Sequence, residues 1–154
     1  MEIERKYLIP EDNLPKDIER YDFHIIEQAY LCTEPVVRVR RQDEEYILTY
    51  KGSGMMVREE YNLPLTREGY YHLLEKADGI LITKKRYLIP LDDSHVAELD
   101  EFGGEYQGLL MAEVEFSSEE EANSFVKPDW FGEDVTFDRR YHNSYMSIVK
   151  RKEQ

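Results

Sequence analysis

Three charged residues near the amino terminus, Glu2, Glu4 and Lys6, follow one another at intervals of two residues. In a β-strand this spacing places all three side chains on one face, and Ile3 and Tyr7 on the other. A core strand would bury the apolar face and leave the charges in water, which requires no function. The same charged alternation recurs on later segments, so a shared role for these faces has to be considered.

The charged faces of the predicted strands carry acids and bases in equal number. The acids are Glu2, Glu4, Glu60, Glu98, Asp100, Glu113 and Glu115, and the bases are Lys6, Arg38, Arg40, Lys51, Arg58, Lys84 and Arg86. Arginine and lysine suit phosphate oxygens, and clustered carboxylates without neighbouring His or Cys suit hard cations such as Mg²⁺ or Mn²⁺. A lumen with these charges becomes cationic once a divalent ion binds. The pattern therefore predicts a polyphosphate or nucleoside triphosphate as the ligand.

Two explanations that need no ligand compete with this one. The charged face could be the wet outer surface of a barrel with an apolar interior, where scattered ion pairs are common. Alternatively, the charges could point inward only to pair with one another, but buried ion pairs seldom repay their desolvation cost. A polar lumen that is open to water and holds a charged ligand fits the number of cations best.

The elements that must position these residues are mostly strands. Eight segments joined mainly by short turns predict a mainly β, α+β fold, with a closed eight-stranded antiparallel barrel that leaves no free edges. The predicted strands are 1–9, 23–32, 36–42, 45–51, 56–63, 80–90, 95–102 and 109–116. A few helices flank the barrel: one from a Thr66 cap to a Gly79 stop, one from a capping box at Ser118 and Glu121, and one from about Asp138.

Composition limits the partners and the compartment. The chain has 154 residues, which suits one domain over residues 1–154, and its net charge of −13 disfavours long nucleic acids and anionic membranes. No apolar run is long enough for a membrane helix. Cys32 is the only cysteine, so an intrachain disulfide is impossible and a cytoplasmic location is expected. A homodimer is compatible with the sequence.

Several motifs, taken in order, resemble those of the CYTH superfamily, also called triphosphate tunnel metalloenzymes. Glu2-Ile-Glu4-Arg-Lys6 resembles the amino-terminal ExExK signature, which alone is a weak signal. Further matches are Gln28-Ala-Tyr30-Leu31, Val37-Arg38-Val-Arg40, Thr49-Tyr-Lys51-Gly52, Lys84-Lys-Arg86-Tyr87, Glu98-Leu-Asp100 and Glu113-Val-Glu115. The ordered set covers nearly the whole chain, and it implies an eight-stranded tunnel like the predicted barrel.

The resemblance also implies roles for individual residues in metal-dependent chemistry on triphosphates. It implies that Mg²⁺ or Mn²⁺ is held by Glu2, Glu4, Glu113 and Glu115. It implies that the phosphate path is lined by Lys6, Arg38, Arg40, Lys51, Arg58, Lys84 and Arg86. Second-metal or water-orienting roles follow for Glu60, Glu98 and Asp100. Tyr30 is either a barrel aromatic or a partner of Lys6 in proton transfer.

The sequence thus predicts a metal-dependent hydrolase of inorganic tripolyphosphate or a related triphosphate. One alternative is a class IV-like adenylate cyclase that makes cyclic AMP and pyrophosphate from ATP, although no feature indicates a nucleoside site. Another alternative is a non-catalytic sensor of polyphosphate or nucleotide. The full set of candidate metal carboxylates argues against the sensor.

Overall fold

The computed structural model describes the backbone of residues 1–153 and the side chains of residues 1–148. Its main element is an antiparallel sheet of nine strands. The strands are β1 (Glu2–Leu8), β2 (Phe23–Thr33), β3 (Val36–Gln42), β4 (Glu45–Lys51), β5 (Val57–Arg58), β6 (Glu60–Pro64), β7 (Asp78–Pro90), β8 (Val96–Phe102) and β9 (Leu110–Glu115).

The sheet curls into a nearly closed barrel. Its strand order is β5-β1-β9-β8-β7-β2-β3-β4-β6. The two strands at the ends of this order, β5 and β6, are consecutive in the chain and separated only by Glu59. Their continuous backbone therefore brings the two edges of the sheet together. The predicted mainly β barrel with flanking helices is confirmed, with nine strands in place of eight.

The additional strand results from a division of the segment predicted as one strand over 56–63. Strand β5 pairs with β1, where Arg58 lies opposite Glu2, and β6 pairs with β4, where Glu60 lies opposite Lys51. Glu59 lies between the two ladders, at the point where the segment changes its partner strand. Alternation alone does not reveal this change, because Arg58 and Glu60 continue to point to the same side.

Strands β1 and β9, near the two ends of the barrel-forming sequence, are neighbours, as predicted for a closed barrel. Glu4 lies opposite Glu115 and Lys6 opposite Glu113. On the other side of β9, strand β8 places Glu98 opposite Glu113. Three adjacent strands thus bring four carboxylates together on the inner face of the barrel.

Three helices flank the barrel: α1 (Arg67–Leu74), α2 (Glu119–Ser124) and α3 (Asn143–Glu153). The predicted caps of the first two are confirmed. The Thr66 hydroxyl accepts a hydrogen bond from the Gly69 N–H at 2.9 Å, and the Ser118 hydroxyl accepts one from the Glu121 N–H at 3.1 Å. These bonds satisfy backbone donors that have no partner within a helix.

Two predicted helix boundaries are wrong. Helix α1 ends at Leu74 and not at Gly79, which lies inside β7 with φ of 74°. Helix α3 begins at Asn143 and not near Asp138, because the Asp138 carboxylate instead caps a separate 3₁₀ turn at Arg139–Tyr141. Both errors have the same cause. Glycine occurs in strands and turns as well as at the ends of helices, and Asp caps isolated turns as well as helices.

The larger hydrophobic core lies outside the barrel wall. It includes Tyr7, Leu99, Val114 and Phe131, which are all buried. The first three point outward from β1, β8 and β9, and Phe131 comes from the segment after α2. The apolar faces of these strands are therefore covered by flanking segments of the chain. The side chains on the opposite faces are left to line the barrel interior.

One end of the barrel interior is closed by a smaller cluster, which we call the apolar plug. Ile82, Phe102 and Met111, from β7, β8 and β9, pack there with Met146 of α3. Helix α3 is held at this position by the Tyr106 hydroxyl, which donates to the Met146 carbonyl at 2.8 Å. On each of the three strands, the next side chain on the inner face, two residues away, is charged. The polar lumen therefore begins directly beside the plug.

The contact between β7 and α3 generates a prediction about stability. A Cβ at Gly79 would lie 2.3 Å from the Ser147 carbonyl oxygen, and φ at Gly79 is positive. At Gly108 φ is also positive, but nothing lies within 4 Å of an added Cβ. We expect Gly108→Ala to lower the free energy of unfolding by about 1–2 kcal/mol through its backbone alone. Gly79→Ala should cost about 1–3 kcal/mol more, because α3 has to move.

Urea denaturation of both variants beside the wild type measures the difference. Equal losses of stability for the two variants would contradict the close packing of α3 on β7.

Candidate functional site

A cavity of about 300 Å³ occupies the barrel interior beside the apolar plug. It is lined by all seven predicted bases and by six of the seven predicted acids. These residues are Lys6, Arg38, Arg40, Lys51, Arg58, Lys84 and Arg86, with Glu2, Glu4, Glu60, Glu98, Glu113 and Glu115. The charged faces therefore point into the barrel, and the explanation that they form its wet outer surface is wrong.

Acids and bases occupy different parts of the cavity wall. The acidic wall comprises the adjacent strands β1, β9 and β8, with Glu2, Glu4, Glu113, Glu115 and Glu98. The basic wall comprises β7, β3 and β4, with Lys84, Arg86, Arg38, Arg40 and Lys51. Lys6, Arg58 and Glu60 are the exceptions to this division. A cation and an anion can therefore be held on different sides of one cavity.

Glu113 of the acidic wall is paired with two bases. Its carboxylate oxygens lie 3.5 Å from Lys6 Nζ and 3.7 Å from Arg86 Nη2. Burial opposes ionisation of Glu113, but the positive charges of Lys6 and Arg86 outweigh burial and hold its pKa well below the ordinary value. Glu113 is therefore an ionised carboxylate at neutral pH.

Lys51 lies in the cavity although its strand alternates poorly in sequence. Its Nζ donates to Glu2 at 3.0 Å and lies 3.5 Å from Glu60. Thr49, two residues earlier on β4, is fully buried and also lines the cavity. Lys51 thus joins the acidic wall to the closing strand β6.

Among the described side chains neither Glu4 nor Glu115 has a base in ion-pair contact, and of these two only Glu4 is buried. Burial, together with the negative charges of Glu113 and Glu2, raises the pKa of Glu4 to about 8. At neutral pH the folded protein therefore holds Glu4 mostly in its protonated form. A cation placed between these carboxylates would lower the pKa of Glu4 and favour its ionised form.

Arg38 and Arg40 of the basic wall are held by neutral side chains. Arg38 Nη2 donates to the Thr49 hydroxyl at 3.1 Å, and Arg40 Nε donates to Gln28 Oε1 at 2.8 Å. Within the described residues neither guanidinium has a carboxylate in ion-pair contact. Burial beside Arg38 lowers the pKa of Arg40 to about 9, so it remains protonated at neutral pH. The basic wall therefore carries two positive charges that no acid neutralises.

Asp100 lies behind the cavity wall, with only 1% of its surface exposed. One of its oxygens accepts from Arg86 Nε at 2.7 Å, and the other lies 2.9 Å from Lys84 Nζ. The predicted second-metal or water-orienting role of Asp100 stays a prediction, and in the structure both of its oxygens contact bases. Its observed role is to hold Lys84 and Arg86. Burial lowers the pKa of Lys84 to about 7 even with Asp100 beside it.

Tyr30 and Lys6 both line the cavity, but no hydrogen bond joins them among the described side chains. The Tyr30 hydroxyl accepts from Gln28 Nε2 at 3.3 Å. Lys6 Nζ donates to the Tyr141 carbonyl at 3.2 Å. A ligand in the cavity could contact both, so their predicted part in proton transfer stays a prediction.

The more open part of the cavity is acidic. The side chains of Glu60 and Glu98 are 25% and 32% exposed, against 11% for Glu113. Burial and the negative charges of Glu98 and Glu60 raise the pKa of Glu115, which is exposed at the end of β9. Three carboxylates without a common counter-charge thus surround one side of the opening.

The acidic wall has the donor type that a divalent cation prefers. Among the described residues, no three Asp, Glu, His or Cys side chains converge as a preformed metal site. The wall does offer carboxylate oxygens, and burial together with the negative charges of Glu113 and Glu2 raises the pKa of Glu4, so a cation there would be favoured. Mg²⁺ is commonly bound by one or two carboxylates, with substrate phosphates and waters as the other ligands. The residues fit a cation that binds together with a phosphate ligand.

Four polar residues of the site were missed as functional candidates: Gln28, Thr49, Asn62 and Asn143. All four have a side chain in the hydrogen-bond network of the cavity wall. The first three have the same strand parity as the predicted charges, so alternation could have found them. Asn143 begins α3, and no pattern in the sequence shows that this helix enters the barrel end.

Comparisons with known proteins agree with this site. The family model described as the CYTH domain matches residues 1–151. The chain is 36% identical over 152 residues to an inorganic triphosphatase of Nitrosomonas europaea, covering 96% of this chain and 97% of that protein. It is 35% identical over 159 residues to an inorganic triphosphatase of Acetivibrio thermocellus, covering 97% and 93% of the two chains.

A solved structure is also similar over nearly its full length. The crystal structure of an inorganic triphosphatase shares 34% identity with a TM-score of 0.71, covering 97% of this chain and 95% of that one. In the part of this chain that the structure describes, none of the helices is long and apolar enough to span a membrane.

The environment of Glu4 leads to a prediction about pH. In the metal-free protein its carboxyl has a folded pKa of about 8, against 4.5 for an ordinary glutamate. The unfolded chain releases this proton first, so stability is lost as pH rises from about 4.5 to 8. Glu4→Gln removes the ionisable group, and we expect its advantage in free energy of unfolding to grow across this window, to about 2–5 kcal/mol at pH 9.

Denaturation of the wild type and Glu4→Gln at pH 5, 7 and 9, in the presence of a chelator, measures this advantage. Glu45→Gln, which changes an exposed glutamate at the start of β4, is the control. An advantage that does not change with pH would show that Glu4 is ionised in the folded protein.

Proposed function

Because the chain belongs to the CYTH domain family, we propose that it hydrolyses inorganic tripolyphosphate, or a closely related triphosphate, with the help of a divalent metal ion. Water cleaves a terminal P–O–P bond, which yields orthophosphate and pyrophosphate. The curated relatives named inorganic triphosphatase support this choice of substrate.

The observation that carries the proposal is the pair Arg38 and Arg40 on the basic wall. Arg38 is buried and Arg40 half-buried in the cavity, and within the described residues both keep an unneutralised positive charge, because Thr49 and Gln28 hold them without adding a negative one. Guanidinium groups bind phosphate oxygens through paired N–H donors. Two such groups, with Lys84 beside them, suit a chain of several phosphates.

The acidic wall is the proposed place for the metal, with Glu2, Glu4, Glu113 and Glu115 as candidate ligands. A bound divalent ion, Mg²⁺ or Mn²⁺, would withdraw negative charge from the phosphoryl oxygens. Binding of the phosphate chain would also draw the bases away from the carboxylates that they now contact. The acids released in this way could then turn toward the cation.

The remaining roles concern the attacking water and its proton. Lys6 and Tyr30 are the proposed groups for proton transfer, since both line the cavity. Glu60 and Glu98, at the more open side, are the proposed groups that orient the water. Asp100 contributes by holding Lys84 and Arg86. No side chain forms a covalent bond to phosphorus in this scheme, so catalysis rests on positioning and charge.

A substrate panel tests the proposal. With Mg²⁺ or Mn²⁺, we expect phosphate release from tripolyphosphate to exceed release from ATP or thiamine triphosphate by about tenfold or more, because an all-phosphate chain can engage the whole basic wall. Orthophosphate, pyrophosphate and cyclic AMP are quantified in each reaction. Efficient formation of cyclic AMP with weak turnover of tripolyphosphate would favour the adenylate cyclase. Tight binding without cleavage by any divalent metal would favour the sensor.

Two substitutions separate the metal role from the phosphate role. Glu115→Gln keeps the shape of the side chain but removes a charge, so the metal concentration needed for half-maximal activity should rise about tenfold or more. Arg40→Ala should instead raise the Kd for tripolyphosphate about 10–100-fold, as expected for lost hydrogen bonds to a charged group. Metal titration and calorimetry provide the two readouts.

Glu101→Gln is the matched control for the acidic substitution, because Glu101 is exposed on the outer face of β8. If Glu115→Gln has the wild-type rate and the wild-type metal requirement, the proposed role of this carboxylate is wrong.

A further inference from the structure

Asn143, the first residue of α3, links two bases of the cavity wall: it contacts Lys84 directly and Arg40 through Gln28. Its Oδ1 accepts a hydrogen bond from Lys84 Nζ at 2.8 Å and one from Gln28 Nε2 at 2.9 Å. Gln28 Oε1 in turn accepts from Arg40 Nε at 2.8 Å. A continuous chain of hydrogen bonds thus connects Lys84, Asn143, Gln28 and Arg40, and we call it the amide bridge.

The direction of every bond in the amide bridge is fixed by its two ends. Lysine and arginine side chains have donors and no acceptor. Gln28 must therefore turn its carbonyl toward Arg40, which leaves its NH₂ group to face Asn143. Asn143 must present its carbonyl to that NH₂ group and to Lys84. The bridge has one possible arrangement and cannot reverse without leaving a buried donor unpaired.

Three of the four members of the bridge are buried, so the loss of its hydrogen bonds would cost free energy. Gln28 is fully buried, Lys84 is 4% exposed and Asn143 is 8% exposed. A buried polar group that loses its partner costs about 1–3 kcal/mol, and more when the group is charged. In the described part of the chain the Asn143 NH₂ group finds only the Met146 sulfur, at 3.9 Å. The strong bonds of Asn143 are therefore those to the cavity wall and not those that anchor its own helix.

The bridge itself adds no negative charge to the two bases that it orients, and in the described part of the chain Arg40 has no carboxylate in ion-pair contact. Carboxylates hold other bases of the cavity, as Glu2 holds Lys51, and Asp100 contacts both Arg86 and Lys84. Amide carbonyls accept hydrogen bonds in the same way but add no negative charge. Such acceptors are needed where a base must be oriented and must also keep its full attraction for an anion.

The bridge also decides which donors remain free for a ligand. Among the described residues, Lys84 uses two of its three N–H bonds on Asp100 and Asn143, so the third is left. In the same part of the chain Arg40 uses Nε on Gln28, so its terminal Nη1 and Nη2 groups are left as a donor pair that can bind a phosphate bidentately. Without the bridge both side chains could turn toward the carboxylates of the acidic wall.

We infer that Asn143 is a positioning residue, which acts through Lys84 and through Gln28 on Arg40 to orient the donors of the basic wall toward a triphosphate. This inference rests on the proposed function for its ligand. It assigns to the start of α3 a part in phosphate binding in addition to its packing at the apolar plug.

The test measures binding of tripolyphosphate by calorimetry in the presence of a chelator, so that neither metal nor turnover contributes. Asn143→Leu replaces the amide by an apolar group of similar size, and we expect its Kd to rise about 10–100-fold. In a Lys84→Met, Gln28→Leu background the same change should alter Kd by less than about twofold, because the residues through which it acts are gone. Asn143→Ala provides the same comparison if Asn143→Leu does not fold.

Ser147→Ala is the control for damage to the helix. Ser147 is fully buried one turn further along α3, and its hydroxyl donates to the Ser144 carbonyl without lining the cavity. This variant should lower the Tm but leave Kd within about twofold of wild type. A purely structural role of Asn143 would make it behave like Ser147.

The outcomes separate the inference from the proposed function. The inference is overturned if Asn143→Leu and Asn143→Ala bind tripolyphosphate like the wild type. It is also overturned if the effect is undiminished in the Lys84→Met, Gln28→Leu background. A wild type that binds but does not cleave tripolyphosphate overturns only the proposed hydrolysis. A wild type that binds tripolyphosphate neither in the chelator nor with Mg²⁺ or Mn²⁺ overturns both.

Discussion

The concentration of thirteen charged side chains in one enclosed cavity is the constraint on which the rest of the structure depends. Desolvation of a charge is expensive, and mutual pairing seldom repays it. The protein meets this cost by separating the charges onto two walls and pairing them only in part. Glu113 is paired with Lys6 and Arg86, whereas among the described side chains Glu4 and Arg40 have no group of opposite charge in ion-pair contact. The uncompensated groups are those that a metal-bound anion would satisfy.

This arrangement requires the barrel to place its hydrophobic core outside its wall. Tyr7, Leu99 and Val114 point away from the lumen and are covered by flanking chain. In most small barrels the inner parity is apolar and fills the interior. Here the inner parity is largely polar or charged, and the plug, where Met111 and Met146 meet, is an apolar cluster at one end. Helix α3 therefore replaces the interior packing that the charged lumen cannot supply.

Strand parity explains why most of the site could be predicted. A period of two fixes the face of each side chain once the strand is recognised, so Arg38 and Glu113 could be assigned to one lumen from sequence. Strand parity does not determine how deeply a side chain is buried. Asp100 shares the strand face of its neighbours, but it lies behind the cavity wall. Strand parity also does not show a change of partner strand, which is why the division at Glu59 was missed. The position of Asn143 depends on the docking of a helix on the barrel end, which involves contacts distant in sequence.

The distribution of charge between the cavity and the exterior limits which anions can bind. Six acids and seven bases line the cavity, so the rest of the chain, with 27 acids and 13 bases, carries a net charge of −14. Electrostatic interactions at the surface are screened over about 8 Å at physiological salt, so a long polyanion would meet this repulsion along its whole contact. A short phosphate chain inside the lumen would be away from the negatively charged exterior. Arg38, Arg40 and Lys84 would replace water around its phosphate oxygens. Length discrimination of this kind follows from charge placement alone and needs no contact with the far end of the ligand.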